Sequence, residues 1–397
     1  MSEPQRYLLG AAAVALGVLA VFLDRSGRGR VLLGALVLAA GLYLALLCRD
    51  LVPALWLRAD RRDDLQRYFV VARRALLGLQ LYWPWPDYGP HFATLGHPYP
   101  QERFPYPPFL PAALAPLARL PLLAFARAWF VVLYAGLLVY AASLARLATG
   151  RISPAGVVVA AAVVAALPGA QLAFMVGNVE PVLWALFGAA LAFPAARGPA
   201  FAASAMVKLY AAWPLAVAVS REGWRVARGA ALAVAVGLAV GCVSLGPARF
   251  LGAFLDWARY MLPVVGQGTF ATDPVYGGTN LSLSFGVLRL ARELGWEYRP
   301  GPLPVWARLY LTAVGVAAPL LAARTTRRMR EPALRYGLVT VAAVVFAPLC
   351  WATYLPLLLA PLAVAVRLGL ERRLAPTSSG ASGGAAAPGG GRPAGEA

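Results

Sequence analysis

Of the 397 residues, 60% are hydrophobic and only 13% are charged, well below the roughly one quarter typical of soluble domains, which indicates an integral membrane protein. The formal net charge is +19, but the arginines cluster at the ends of apolar segments, as cytoplasmic loops do, which argues against nucleic-acid binding. The three cysteines lie in or beside separate apolar segments, and with an odd cysteine count and only two histidines neither a disulfide framework nor a zinc site is expected.

About ten apolar segments have the length or near-length of a membrane helix, which takes roughly 17–25 residues. They comprise residues 8–23, 31–47, 122–147, 155–174, 181–196, 200–219, 227–245, 305–322, 336–349 and 355–368. This pattern predicts an all-α polytopic membrane domain over residues 1–374. Arginines flank residues 200–219 on both sides, so this segment either spans the membrane or forms a re-entrant hairpin. Residues 375–397 are rich in Gly, Ala, Pro and Ser and are predicted to form a disordered tail.

The arginine clusters predict the orientation, because positively charged loops stay on the cytoplasmic side of a membrane. The clusters lie within residues 25–30, 146–151, 221–228, 324–335 and 372–373. The two long loops, residues 49–105 and 246–304, then fall on the extracytoplasmic side, and the C-terminal tail falls in the cytoplasm.

The first long loop carries two adjacent carboxylates, Asp63 and Asp64. Apolar residues recur at helical spacing from Leu65 to Leu76, which predicts an amphipathic helix of about fourteen residues lying on the bilayer surface. Asp64 falls at its N-cap position. One interpretation makes the carboxylates a helix cap and a solvated, arginine-paired surface. The other makes Asp64, with Asp63 as runner-up, a general base at the membrane surface.

Two charged residues fall in or beside apolar segments. Lys208 is the only lysine in the chain, and a cation at this depth costs roughly 2.5–3.5 kcal/mol unless it faces a polar cavity or an anion. Alternatively, the Lys208 side chain extends back to the membrane–water interface. Glu180 belongs to a polar break at residues 177–180, where it either lines a cavity or caps the next helix.

Two further stretches are candidates for binding. Residues 277–284 are predicted to form a Gly-rich turn that opens a helix and contains Asn280, with Arg289 downstream, a pattern that suits a phosphate held by backbone N–H groups and a guanidinium. Residues 280–282 also match a glycosylation sequon. Trp351 belongs to an aromatic and proline break at residues 347–354, whose simplest interpretation is an interfacial anchor.

Taken in order, several motifs resemble glycosyltransferase family 87, the bacterial polyprenyl-phosphate-mannose-dependent mannosyltransferases with the GT-C membrane fold. The motifs are Asp64-Leu65-Gln66-Arg67-Tyr68, Phe104-Pro105-Tyr106-Pro107-Pro108, Gly177-Asn178-Val179-Glu180, Lys208-Leu209-Tyr210, and Asn280-Leu281-Ser282 followed by Arg289-Leu290. The chain departs from the family pattern at Ala211, where a proline is usual, and at Thr353 and Tyr354, where histidines are usual after Trp351.

The resemblance implies a GT-C-type bundle, a polyprenyl-phosphate hexose as donor, mannose first among the hexoses, a glycolipid or glycan acceptor, and inversion at the anomeric carbon. It selects Asp64 over Asp63 as the base. It places seven residues at the donor phosphate or substrate: Lys208, Arg289, Tyr210, Asn280, Tyr106, Glu180 and Trp351. It implies no cofactor, and a metal is not required because the leaving phosphate already carries its charge. Transfer of another sugar, such as arabinofuranose, and a lipid-linked-sugar transporter or flippase stay open, although paired inverted repeats typical of transporters are not evident.

Overall fold

The computed structural model describes residues 3–26, 30–57, 63–82, 104–266, 281–294, 303–347 and 350–374. All regular structure within these ranges is helical, as predicted. The α-helices are α1 (Glu3–Ser26), α2 (Arg30–Leu57), α3 (Asp63–Leu76), α4 (Phe109–Leu114), α5 (Leu122–Thr149), α6 (Pro154–Ala166), α7 (Pro168–Val176), α8 (Glu180–Ala192), α9 (Arg197–Val207), α10 (Ala212–Glu222), α11 (Trp224–Leu245), α12 (Pro247–Gly266), α13 (Leu283–Glu293), α14 (Val305–Thr325), α15 (Pro332–Val345) and α16 (Leu359–Leu374). Short 3-10 helices lie at Leu117–Arg119, Pro194–Ala196, Leu209–Ala211, Thr326–Arg328 and Ala352–Leu358. The predicted tail, residues 375–397, and Asn280 lie outside the described residues.

Several described helices are long and apolar enough to cross a membrane. Five pass by length and composition, in α2, α5, α11, α14 and the Ala352–Leu358 turn with α16. Helices α6 and α7 make a sixth if they are one span bent by 78°, and the bend falls at the extended Leu167 before Pro168, as expected ahead of a proline. The chain is thus a multi-pass membrane protein, while the count of about ten membrane helices stays a prediction.

The segment at residues 200–219 is broken in two at Lys208. Helix α9 ends at Val207, Lys208 adopts an extended conformation (φ −141°, ψ 124°), and a 3-10 turn leads into α10. Each half is too short to span a bilayer of about 30 Å by itself. The break carries the Lys208 side chain out of helical register, toward polar groups from other helices.

Helix α3 forms where the sequence predicts it, but it does not lie exposed on a bilayer surface. From Asp64 to Leu76 every side chain is buried or half-buried. Its arginines bond to backbone carbonyls, Arg73 Nη1 to Ala118 at 2.7 Å and Arg74 Nε to Gln80 at 2.9 Å. These bonds give two of its charged side chains partners within the protein, which allows them to be buried there.

The second long loop contains two helices, α12, which was not predicted, and α13, which begins where the Gly-rich turn predicted a helix. Phe250 and Phe254 of α12 pack against Phe109 of α4, with ring centroids 5.6 Å and 5.0 Å away. Helix α13 packs with α14 in a small apolar cluster of its own, around Phe285 and Leu311. Both helices are amphipathic, so a search for continuous apolar runs does not detect them.

A close helix contact fixes the start of α8. Helix α5 approaches it at Gly136, where an added Cβ would lie 2.6 Å from the carbonyl oxygen of Pro181. Only glycine leaves room for this approach. The carboxylate of Glu180, one residue before Pro181, is thereby held at the centre of the bundle.

Helices α8, α9 and α16 carry polar residues at or near both ends. Helix α8 begins at Glu180 and is followed, after a short turn, by α9, which begins at Arg197 and ends at Lys208. Tyr354 precedes α16, and Arg367 lies near its far end. Thirteen residues of α8 extend about 20 Å. Two polar groups, one around Glu180 and one around Arg197, therefore lie at opposite ends of the bundle.

Candidate active site

The carboxylate of Asp64 is held on both oxygens. Helix α3 begins at Asp63, so Asp64 is the second residue of the helix rather than its N-cap. Its Oδ1 accepts a hydrogen bond from Arg67 Nη1 at 3.0 Å, and its Oδ2 accepts one from Asn178 Nδ2 at 2.6 Å. The side chain is still 17% exposed. Asp64 is therefore a fixed, ionisable group that a ligand can reach.

Asn178 connects Asp64 to the start of α8. Its Oδ1 accepts a hydrogen bond from the backbone N–H of Glu180 at 3.0 Å, while its Nδ2 donates to Asp64. The turn before it needs Gly177 in a left-handed conformation (φ 73°), which costs glycine little. Trp129 Nε1 donates to the Gly177 carbonyl at 2.8 Å. These contacts fix both the amide and the carboxylate that it holds.

Two buried tyrosines lie behind this turn. Tyr68 donates from its hydroxyl to the Tyr106 hydroxyl at 3.0 Å and accepts from the Val179 N–H at 3.2 Å. Their rings meet edge to face, with centroids 5.6 Å apart. Burial raises the pKa of both hydroxyls above their usual range. They stay neutral at physiological pH, and in the structure they form hydrogen bonds and pack against each other.

A buried ion pair joins the start of α8 to the end of α9. Lys208 Nζ is paired with Glu180 Oε1 and also donates to the Tyr354 hydroxyl at 2.9 Å. The ammonium lies 4.5 Å from the ring centroid of Tyr354 and 5.3 Å from that of Tyr106. Glu180 is fully buried, and among the described residues its Oε2 has no hydrogen-bond partner. The pair thus leaves one acceptor atom without a partner.

Most of the residues predicted for the site come together. Asp64, Tyr106, Glu180 and Lys208 are joined by the contacts above. Tyr210 packs its ring edge to face against Tyr354, with centroids 5.6 Å apart.

Trp351 lies at the edge of the same group. It is half-buried against the main core, and its carbonyl accepts from the Tyr354 N–H at 2.9 Å.

Three predicted residues are not placed in this group. Arg289 lies on α13, with its guanidinium 5.4 Å from the ring centroid of Phe285 in the separate α13–α14 cluster. Asn280 lies outside the described residues. Asp63 begins α3, and its side chain lies outside what the structure describes.

Sequence reasoning missed several members of the site. Asn178 stood in the polar break that drew attention to Glu180, but nothing local pointed to its bond with Asp64. Tyr354 was noted only as a departure from the family pattern, although a hydroxyl at that position supplies Lys208 with a partner. Tyr68 was taken as an apolar position of α3.

Among the described residues, no group of three or more His, Cys, Asp or Glu side chains has the arrangement to hold a metal ion. The site consists of the partly exposed carboxylate of Asp64, the buried Lys208–Glu180 ion pair and the tyrosine side chains that pack around them. This set can accept a proton from a hydroxyl and bind a polar ligand next to an apolar one.

The comparison with protein families identifies the class. The family model described as glycosyltransferase family 87 matches residues 104–351, more than half of the chain. With the apolar helices, the match defines a membrane glycosyltransferase. The chain belongs to glycosyltransferase family 87. The matched stretch contains Tyr106, Glu180 and Lys208, whereas Asp64 precedes it. Comparisons with curated proteins and with solved structures gave no match.

Proposed function

We propose that the chain transfers a hexose, with mannose as the first candidate, from a polyprenyl-phosphate sugar to a glycolipid or glycan acceptor, and that Asp64 is the general base. Family membership supports sugar transfer. The observation that carries the role of Asp64 is its partly exposed carboxylate, fixed by Asn178 and Arg67 beside the buried Lys208–Glu180 pair.

The proposed reaction needs one proton acceptor and one stabilised leaving group. The acceptor hydroxyl loses its proton to the Asp64 carboxylate, and its oxygen forms a bond to the anomeric carbon. The bond from that carbon to the phosphate oxygen breaks, and its electron pair leaves with polyprenyl phosphate. Attack opposite the leaving group inverts the configuration. General base catalysis of this kind contributes typically about 10²–10⁴-fold to a rate.

The ion pair supplies groups for binding the sugar phosphate. An ammonium has three N–H donors, and the described contacts of Lys208 use two of them, toward Glu180 and Tyr354. The third is available to a phosphate oxygen of the donor. Glu180 Oε2, buried without a partner among the described residues, is available to a sugar hydroxyl. A buried polar atom left unsatisfied costs about 1–3 kcal/mol, and a hydroxyl-bearing ligand would remove that cost.

Aromatic side chains complete the proposed donor site. Tyr106, Tyr210 and Trp351 would form its walls. The participation of Arg289 and Asn280 in holding the donor phosphate stays a prediction.

The site would face the extracytoplasmic side. The positions supporting this are the arginine-rich ends of α9 and α16, which lie at the opposite end of the bundle from Asp64. Positive charge favours the cytoplasmic side, which leaves the Asp64 end for the other face.

The test is sugar transfer from polyprenyl-phosphate mannose by the purified full-length protein. Asp64→Asn should lower kcat by at least about 10²-fold, with an unchanged melting temperature. Asp24→Asn is the matched control, because Asp24 forms an ion pair with Arg151 at 2.9 Å away from the site, and it should keep wild-type turnover. Near wild-type turnover by Asp64→Asn would overturn the assignment of the base.

Two further measurements distinguish the alternatives. Competition among polyprenyl-phosphate sugars separates a hexose donor from a pentose such as arabinofuranose. Lipid scrambling in reconstituted vesicles, unaffected by Asp64→Asn and without sugar transfer, would indicate a flippase instead.

A further inference from the structure

A second polar cavity lies at the end of the bundle away from Asp64. Its volume is about 840 Å³, and it is bounded by the ends of α5, α8, α9, α10, α15 and α16. The arginines lining it are Arg146, Arg197, Arg221, Arg225, Arg335 and Arg367. The carboxylates lining it are Glu222 and Glu331. The lining is therefore strongly positive.

The two carboxylates are already used by arginines of the same cavity. Glu222 pairs with Arg197 through Oε1 and with Arg225 through Oε2, the latter at 3.0 Å. Glu331 Oε2 pairs with Arg367 at 2.8 Å. These pairs hold three guanidinium groups in place, while the other three have no carboxylate partner in the part of the chain that the structure describes.

The remaining arginines are oriented without being neutralised. Arg146 Nε donates to the Ala192 carbonyl at 3.0 Å, and its guanidinium lies 4.8 Å from the ring centroid of Phe193. Arg335 Nε donates to the Thr326 carbonyl at 3.3 Å. Arg221 is exposed, with no ion pair or hydrogen bond among the described residues. Carbonyls at helix ends fix a guanidinium but only partly offset its charge.

The arginines of this cavity are more buried than those of an ordinary cytoplasmic surface. The orientation rule for membrane proteins needs only exposed arginines, whereas Arg197 is 4% exposed and Arg146, Arg335 and Arg367 are half-buried. Like charges gathered in a cavity repel each other unless an anion lies between them. Guanidinium groups bind phosphate with paired N–H donors, and a cavity of this volume falls in the range of ligand sites.

We propose that this cavity binds a phosphate group, the chemistry shared by an anionic phospholipid headgroup and a soluble phosphate compound. Arg146, Arg221 and Arg335 are the groups that contact it. The site is separate from the Asp64 site by the length of α8, so it stands whether or not Asp64 is the base.

Binding of inorganic pyrophosphate to the full-length protein in neutral detergent tests the proposal. Pyrophosphate should raise the melting temperature saturably. The double variant Arg221→Gln/Arg335→Gln should weaken its binding at least about 10-fold, since each charge-assisted hydrogen bond contributes appreciably. Arg328→Gln is the matched control, because Arg328 is exposed at the same end of the bundle and does not line the cavity. Its affinity should equal the wild-type value.

A second arm identifies the source of the phosphate. The melting temperature is measured in nanodiscs of phosphatidylglycerol and of phosphatidylcholine. A lipid headgroup is indicated if phosphatidylglycerol raises the melting temperature relative to phosphatidylcholine. This increase should disappear in the double variant and remain in Arg328→Gln. Arg221→Gln alone, at an exposed position, should weaken binding about threefold and provides the test if the double variant is unstable. Binding of neither probe, or equal weakening by Arg328→Gln and the cavity variants, would overturn the proposal.

Discussion

The amide nitrogen of Asn178 lies 2.6 Å from Oδ2 of Asp64, although the two residues are 114 positions apart in the chain. This bond ties the first turn of α3 to the turn before α8. It makes Asn178 a positioning residue for Asp64, and its loss should affect the chemical step rather than binding.

Asn178→Ala should lower kcat for sugar transfer by about 10–100-fold, the equivalent of one hydrogen bond to a charged group, with KM nearly unchanged. Steady-state kinetics measure both. Gln171→Ala removes an amide from neighbouring α7 that bonds to the Ala165 carbonyl and serves as the control, with wild-type kcat. A rise in KM at constant kcat would assign Asn178 to substrate binding.

The Lys208–Glu180 pair should be strongly coupled. Lys208→Met leaves a fully buried carboxylate without its cation and should lower the free energy of unfolding by about 3–5 kcal/mol. The double variant Glu180→Gln/Lys208→Met should lose clearly less than the sum of the two single variants. Unfolding in detergent, followed by tryptophan fluorescence, provides the values.

An exposed pair offers the comparison. Asp24→Asn breaks the pair with Arg151, which is 67% exposed, and should cost about 1 kcal/mol or less. Additive effects at Lys208 and Glu180 would show that the buried pair is not coupled, and a similar cost for Asp24→Asn would show that burial does not set the cost of breaking an ion pair.

Gly136 should tolerate no side chain. Gly136→Ala places a Cβ 2.6 Å from the Pro181 carbonyl oxygen, and overpacking of this kind costs typically about 1–3 kcal/mol. Because the start of α8 must move, sugar transfer should fall as well. Gly41→Ala, where no atom lies within 4 Å, should be neutral or slightly stabilising. Equal melting temperatures for the two variants would refute the close approach.

Glu222 should make stability depend on pH. Burial alone would raise the pKa of its carboxyl, but the hydrogen bond from Tyr336 and the pairing with Arg197 outweigh burial and hold the pKa below its ordinary value of 4.5. The unfolded state therefore binds the proton more readily, and stability rises with pH. The stabilisation is present above pH 4.5 and is lost as the pH falls through the lowered pKa.

Melting temperatures of the wild type and Glu222→Gln, measured across about pH 3–6, test this sign. The difference between the two proteins should be large at the upper end and narrow below pH 4.5. A difference that stays constant over the range would mean that Glu222 titrates normally.

The two ends of the bundle should label from opposite sides of the membrane. Arg119 and Arg328 are exposed at opposite ends, near the starts of α5 and α15. With Cys48, Cys242 and Cys350 replaced by alanine, Arg119→Cys should react with an impermeant maleimide in intact cells, and Arg328→Cys should react only in inverted vesicles. Labelling of both from one side would contradict the proposed orientation.

The sequence indicated much of the architecture because hydropathy and helical spacing are local properties. They indicated an all-helical membrane protein, and they placed the start of α3 within two residues. They did not locate α12, whose apolar residues are interspersed with polar ones, although the Gly-rich turn predicted a helix where α13 begins. Nor did they distinguish a helix on a bilayer surface from a helix buried in protein, since α3 would show the same periodicity in both settings.

The site was less accessible to sequence reasoning, because it depends on contacts between distant residues. Glu180 and Lys208 were each singled out, yet their pairing follows from the way α9 returns beside α8. The bond from Asn178 to Asp64 has no local signature at all. The role of Tyr354 follows only from the structure, in which its hydroxyl accepts a hydrogen bond from Lys208.

The short α8 has an electrical consequence. Its length of about 20 Å is two thirds of a hydrocarbon layer of about 30 Å, and charged groups mark both ends, at Glu180 and Arg197. A transmembrane voltage that drops over this shorter path gives a local field about half again as steep as in the surrounding lipid. A unit charge crossing the full voltage changes in energy by about 2.3 kcal/mol per 100 mV. A charge that moves along α8 between Glu180 and Arg197 crosses this field, whereas an anionic donor bound beside Lys208 stays at one end of it.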